Sequence, residues 1–282
     1  MKLTNNNADI FVPDNTPLDA AVARTTHLGI CAHQDDLEFM AYHGILSCFG
    51  QKDKWFTGVV TTDGAGSSRT GVYAGYSDAE IAAVRPREQR KAAFVGEYAA
   101  MFQLGYTSSA VKDAKNPDVV ADLVAILNAA RPEVVYLHNP ADKHDTHIGA
   151  VLRAISALRK LPREARPKKV YGCEVWRNLD WLCDADKQIH DVSAFPNLAA
   201  ALNGVFDSQI TGGKRYDLAV MGRRLANATF FDSHSSDKAT ALQWAMDLTP
   251  LVEDDALDVA AYALGFVERM AADIKARIGK LS

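Results

Sequence analysis

The run THLGICA at 26–32 is short and apolar, the pattern of a strand buried on both faces, and the charged stretch HQDD follows it at once. Apolar residues then return as Leu37, Met40, Ile45 and Phe49 with small residues between them, a helical stripe that ends near Gly50. FTGVVTT at 56–62 predicts a second strand. A Gly-rich loop separates it from Ser77 and Glu80, a capping box for a helix that Pro86 is expected to interrupt or restart. Asn116 and Pro117 predict the next helix start, with Val120, Leu123, Val124 and Leu127 along one face, and EVVYL at 133–137 returns as a strand. A histidine-rich loop at 138–147 leads into a helix carrying Ile148, Val151, Leu152 and Ile155, and KVYGCEV at 169–175 supplies a further strand. The last third is less regular: 176–213 reads as loop with a helix near 198–202, and 254–278 as one long amphipathic helix.

Strands alternating with helices predict an α/β fold built on a mostly parallel, Rossmann-like sheet with helices on both faces and a C-terminal helical extension. No repeat or low-complexity linker divides the chain, so 1–282 is expected to be a single domain, with a core of about 26–180 and an extension of about 181–282. In such sheets ligands bind beyond the carboxyl ends of the strands. HQDD and the 138–147 loop both fall there.

Composition narrows the functions. Lys plus Arg number 31 against 35 for Asp plus Glu, a net charge of −4, which argues against a nucleic-acid partner. The basic cluster at 163–169 reads as a solvated loop. No apolar run reaches membrane-spanning length, and residues 1–16 are polar and Asn-rich, so a cytoplasmic protein without a membrane partner is expected. Cys31, Cys48, Cys173 and Cys183 lack CxxC spacing, which fits a reducing compartment.

Half of the 8 histidines sit at these two predicted strand ends: His33 beside Asp35 and Asp36, and His138, His144 and His147 in the later loop. A catalytic zinc takes three protein ligands from imidazole and carboxylate groups and keeps a position for water, and His33, Asp36 and His147 meet that need. Asp35 and Asp36 are adjacent, so their side chains diverge, leaving Asp35 for substrate or water. An N-cap aspartate beside an incidental histidine would explain HxDD alone; joint placement of both clusters on one sheet edge favours a metal.

CAHQDDLEF with NPADKHDTHIGAV resembles the PIG-L/LmbE-like family of zinc-dependent N-deacetylases, whose pattern is AHPDD followed by HPDH about a hundred residues later. TTDGAG, Arg85 with Glu88, and EVW at 174–176 are similar to further family features, so the resemblance covers about the first two-thirds. It implies one Zn2+ per chain on His33, Asp36 and His147, Asp35 as general base, and His144 as the group that supports the oxyanion or protonates the leaving amine. It also implies removal of an acetyl group from an N-acetylglucosamine-type amino sugar or conjugate. Arg85, Asp142 and Arg69 are the expected substrate contacts; His190 and His234 rank low. Gln34 stands where the family has the proline of AHPDD, and Asp145 and Thr146 replace the proline and aspartate of HPDH. The carboxylate that orients a histidine is therefore missing from its usual place. Competing expectations are a metal amidase acting on another acyl amide, such as a thiol-sugar conjugate, and an inactive sugar-binding homologue. The partner is a small amino sugar, with room left for a homo-oligomer.

Overall fold

The computed structural model describes residues 1–282. Its strands are β1 (Asp9–Phe11), β2 (His27–Cys31), β3 (Phe56–Thr62), β4 (Ala100–Tyr106), β5 (Val134–His138), β6 (Lys169–Cys173), β7 (Lys187–Asp191) and β8 (Leu242–Asp247). They form one sheet in the order β1-β4-β3-β2-β5-β6-β8-β7. The five central strands, β4 to β6 in that order, run parallel. β1 pairs antiparallel with β4 at one edge, and β8 and β7 close the other edge antiparallel.

The helices are α1 (Leu18–Ala23), α2 (Asp36–Met40), α3 (Tyr42–Cys48), α4 (Asp78–Val95), α5 (Ser108–Lys112), α6 (Asp118–Ala130), α7 (Asp145–Arg159), α8 (Pro196–Gly204), α9 (Asp207–Ile210), α10 (Tyr216–Phe230), α11 (Thr249–Glu253) and α12 (Val259–Leu281). Strand alternation sends Leu28, Ile30, Val135 and Leu137 into one core beneath α6 and α7, and Cys31 and Tyr136 into a second core beneath α2, α3 and α8. Helices on both faces bury the parallel strands, as the apolar runs require. The chain is thus the α/β fold with a mostly parallel sheet that the alternating pattern predicts.

Three expectations need correction. α4 runs through Pro86 without a break, because its neighbours Arg85 and Gln89 are anchored to Gly64, Ser67 and Glu38. The C-terminal third is more than helix and loop, since β7 and β8 extend the sheet. β1 and β4 are further strands that the sequence pattern does not separate from their surroundings.

The connections leaving β2 and β5 go to opposite sides: β3 and β4 lie beyond β2, and β6 lies beyond β5. A crevice opens at such a reversal of strand order. β2 and β5 are direct neighbours, so the segments that follow them must meet.

Candidate active site at the β2/β5 crevice

The HQDD loop is held down by its next residue. Leu37 packs over β2 and β3 where they carry Gly29 and Gly58: a Cβ on either glycine would lie 2.7 Å from a Leu37 methyl. Two missing side chains therefore let α2 approach the sheet closely. Asp35 precedes α2 with φ 105°, a conformation costing a non-glycine residue about 1–3 kcal/mol that surrounding contacts must hold. Its N–H donates to Gln89 Oε1 at 3.2 Å. Gln89 also donates to Glu38 Oε1 at 2.8 Å, as does the Tyr98 hydroxyl at 2.6 Å.

This backbone separates the two carboxylates, as their adjacency predicts. Asp35 Oδ2 faces Arg85 Nη2 at 3.5 Å, and both residues line a cavity of about 340 Å³. Arg85 also donates to Gly64 O at 3.2 Å and Ser67 Oγ at 2.7 Å, and to Gln34 O. Gly64 has φ +71°, and a Cβ there would meet Gln34 Oε1 and Arg85 Cδ, so the DGAG loop needs glycine at this point. Burial pushes the Asp35 carboxyl well above the usual carboxylate range, with Asp36 and Glu38 adding to a rise that Arg85 opposes.

Asp36 turns the other way. Its Oδ2 lies 3.3 Å from His33 Nδ1 and 3.4 Å from His147 Nε2, and those two nitrogens are 3.2 Å apart. Burial would raise the Asp36 carboxyl, but His147, His138 and His33 outweigh it and hold the group well below its ordinary range. Behind His147, Asp142 Oδ2 lies 3.2 Å from Nδ1. In that pair only the ring can donate, which puts the imidazole proton on Nδ1 and turns the Nε2 lone pair toward Asp36 and His33.

With the His33 proton on Nε2, all three converging atoms are acceptors, and a cation among them relieves their mutual repulsion. Zinc bonds of about 2.0–2.2 Å imply roughly 3.3–3.5 Å between neighbouring ligands of a tetrahedron, so this donor set fits a divalent metal.

His144 caps α7, with Nδ1 accepting from Thr146 N at 3.3 Å. The neutral ring therefore carries its proton on Nε2. It lies edge-on to His33 at 5.1 Å between centroids and lines the cavity. Burial lowers its pKa, with His147 adding to the effect. His138 stacks on His147 at 3.9 Å, accepts from Ala32 N–H at 2.9 Å, and lies outside the cavity wall.

The structure brings His33, Asp35, Asp36, Arg85, His144 and His147 into one cavity. Two expected substrate contacts are not there. Asp142 is occupied by His147 and by the N–H of His144, so it supplies the orienting carboxylate that the sequence lacks at Thr146. Arg69 is turned onto the carbonyls of Ala65 and Tyr76 and onto Asp78 through its Nη atoms, and it does not line the cavity. Conversely, Glu174, Trp176, Lys214, Tyr216 and Arg223 form a wall that carries no motif beyond the EVW stretch. Only the EVW stretch gave a signal there. Tyr216, Ala219, Val220, Arg223 and Arg224 share one face of α10, spaced three and four apart.

No curated relative matches the chain. Solved structures do. N,N′-diacetylchitobiose deacetylase from Pyrococcus horikoshii superposes with a TM-score of 0.61 at 18% identity, covering 82% of this chain and 86% of that one. GalB, the 4-carboxy-2-hydroxymuconate hydratase of Pseudomonas putida, gives 0.57 at 16% identity over 79% and 95%. The A40926 pseudoaglycone deacetylase Dbv21 gives 0.55 at 15% over 79% and 97%. At these identities the likeness is one of fold. The family described as PIG-L, GlcNAc-PI de-N-acetylase, matches residues 28–171, just over half of the sequence and the stretch that carries both histidine loops. The chain belongs to the PIG-L family.

Proposed function

We propose that the protein is a zinc-dependent hydrolase that removes the N-acetyl group of an N-acetylglucosamine-type amino sugar or sugar conjugate. The observation that carries this reading is the convergence of His33 Nδ1, Asp36 Oδ2 and His147 Nε2 within 3.2–3.4 Å of one another, beside an Asp35 carboxylate that faces the same cavity. His33, Asp36 and His147 would hold one zinc, which when bound supplies a Lewis acid that makes water nucleophilic near neutral pH.

The chain's own groups do the rest. Asp35 accepts the proton of the attacking water, and the burial that raises its pKa keeps it basic enough for the task. The same carboxyl, once protonated, is the donor for the leaving amine. His144 offers a neutral Nε2–H to the developing oxyanion, support worth about 3 kcal/mol for a single donor. Arg85 holds Asp35 from one side, and Asp142 fixes His147 from behind. The hydratase among the structural neighbours means that fold alone does not choose the bond attacked. The family match to a de-N-acetylase favours the amide.

The test is release of primary amine and acetate from a panel of N-acetylated amino sugars, with and without a chelator. Chelator-sensitive release supports the proposal. No release from any of them by protein of full metal content would sink it and shift the reading toward a different acyl amide. No helix is long and apolar enough to cross a membrane, which suits a water-soluble substrate.

A further inference from the structure

We propose that the cavity carries a subsite for an anionic substituent of the substrate, a carboxylate or phosphate, held by Lys214 and Arg223 beside the ring of Trp176. The proposal rests on the amide-hydrolase reading and narrows its substrate class to acidic N-acylated amino sugars. All three residues lie beyond the family match at 28–171 and line the same cavity as His33 and Asp35. Lys214 Nζ stands 5.2 Å from the Trp176 ring centroid and makes no ion pair. Arg223 spends Nη1 on Val175 O, makes no ion pair, and has Glu174 as the acid it acts on.

The other charges of the wall are already committed. Arg85 faces Asp35, Arg224 donates to the carbonyls of Glu38 and Phe39, and Asp36 belongs to the histidine cluster. That leaves Glu174 as the one acid to offset two free cations. Its Oε1 accepts from Asn227 at 3.1 Å, while Oε2 is buried without a partner, an acceptor for a sugar hydroxyl. Placement suits one substrate spanning both regions: the Trp176 ring lies 6.5 Å from that of His144, and Tyr216 meets Trp176 edge-on at 6.1 Å. A sugar on this platform puts its acetamide at His144 and an acidic substituent at the two cations.

The experiment compares N-acetylglucosamine, N-acetylglucosamine 6-phosphate and N-acetylmuramic acid in two ways. Binding to the Asp35→Asn protein is followed by calorimetry, and kcat/KM is measured with the native enzyme. An acidic sugar should bind about tenfold or more tightly than the neutral one at low salt, with the gap closing as salt rises. The two acids separate carboxylate from phosphate. Lys214→Gln and Arg223→Gln should abolish the preference, Arg223→Lys should restore part of it, and Arg215→Gln, at a residue paired with Asp217, should leave it intact. Equal binding of all three sugars overturns the subsite even if they are turned over. Preferential binding without turnover upholds the subsite and overturns deacetylation instead.

α12 leaves an apolar face uncovered. One face packs on the body through Ala263 and Phe266, but Leu264, Val267, Ala271, Ile274, Ile278 and Leu281 form an exposed stripe spaced alternately three and four apart. That is the alternating spacing of a coiled-coil seam, which a second helix can fill. We infer that it pairs with a second copy of the chain, antiparallel about a two-fold axis. In that register Leu264 meets the partner's Leu281, Val267 the partner's Ile278, and Ala271 the partner's Ile274. Glu268 and Lys275 flank the seam and make no ion pair within the chain, whereas Arg277 is taken by Asp273. Only the antiparallel arrangement sets Glu268 against the partner's Lys275.

Sedimentation equilibrium of the full chain should give twice the 30.7 kDa of one chain. Ile274→Glu should give a monomer with an unchanged circular dichroism spectrum. Glu268→Lys should weaken the dimer, and the double exchange Glu268→Lys with Lys275→Glu should restore it. A native monomer, or a dimer indifferent to Ile274→Glu, overturns the interface. Failure of the double exchange to restore overturns its antiparallel sense.

Discussion

At the scale of single residues, the site divides its two aspartates by the direction each faces, and substitution should expose the division. Asp35→Asn removes the base of the proposed reaction but none of the three converging donors, so kcat should fall by about 10²–10⁴-fold while zinc content stays at one per chain. His147→Ala removes a donor, and metal itself should be lost. Metal analysis beside steady-state kinetics separates the two, and equal metal loss in both variants would contradict the assignment. Asp142 touches neither cavity nor converging atoms, yet it fixes the His147 proton on Nδ1. Asp142→Ala should weaken zinc affinity by about 10–100-fold, seen in competition with a chromophoric chelator, with kcat of the fully loaded enzyme much less affected. His144 differs again: in the proposed reaction it donates from a neutral ring, so His144→Ala should lower kcat and leave metal in place.

At the scale of elements, everything depends on how closely α2 lies on the sheet. Gly29→Val or Gly58→Val would drive a side chain into Leu37. Because overpacking costs about 1–3 kcal/mol, each variant should show a lower urea midpoint and lose metal together, a coupling that chelator titration of the two proteins checks. The sequence told much of this in advance. β2, β3, β5 and β6 are apolar runs bounded by turn residues, and the two histidine loops follow two of them directly. β4 escaped notice because its residues AMFQLGY continue an apolar stretch that begins inside α4, with only Gly96 and Glu97 between. β8 was hidden by polar letters: its buried Gln243 donates to the carbonyls of Phe39 and Met40, a satisfaction no periodicity reveals. The α10 wall was illegible for a different reason. Its cavity face has the spacing of any amphipathic helix, and only sheet order decides what that face meets.

At the scale of the whole molecule, the histidines that line the cavity are one of two clusters, and the second bears on stability. His27 of β2, His43 of α3 and His190 of β7 gather around Tyr136 and Tyr171, where His43 Nδ1 meets the Tyr136 hydroxyl at 2.8 Å and the His43 and His190 rings stack at 3.9 Å. Burial lowers His27 to about 4, His43 to about 3 and His190 to about 4; neighbouring positive charge adds to the first two. An unfolded histidine titrates near about 6.5. Between that pH and about 4 the unfolded chain therefore binds more protons than the folded one, and stability falls as pH falls. Above about 6.5 both states hold neutral rings and the contribution is complete. Carboxylates such as Asp142, held low chiefly by His147 against the effect of burial, act in the same direction, so the wild-type slope alone cannot isolate the rings. The difference between proteins can. His190→Leu removes a ring whose Nε2 is buried without a partner and with it the neighbour whose charging opposes that of His43. Unfolding free energies from urea titrations at pH 7 and pH 4.5 should therefore differ by about 1–3 kcal/mol less in the variant than in the native protein. Equal pH dependence in the two proteins would mean that these rings already accept protons in the folded state.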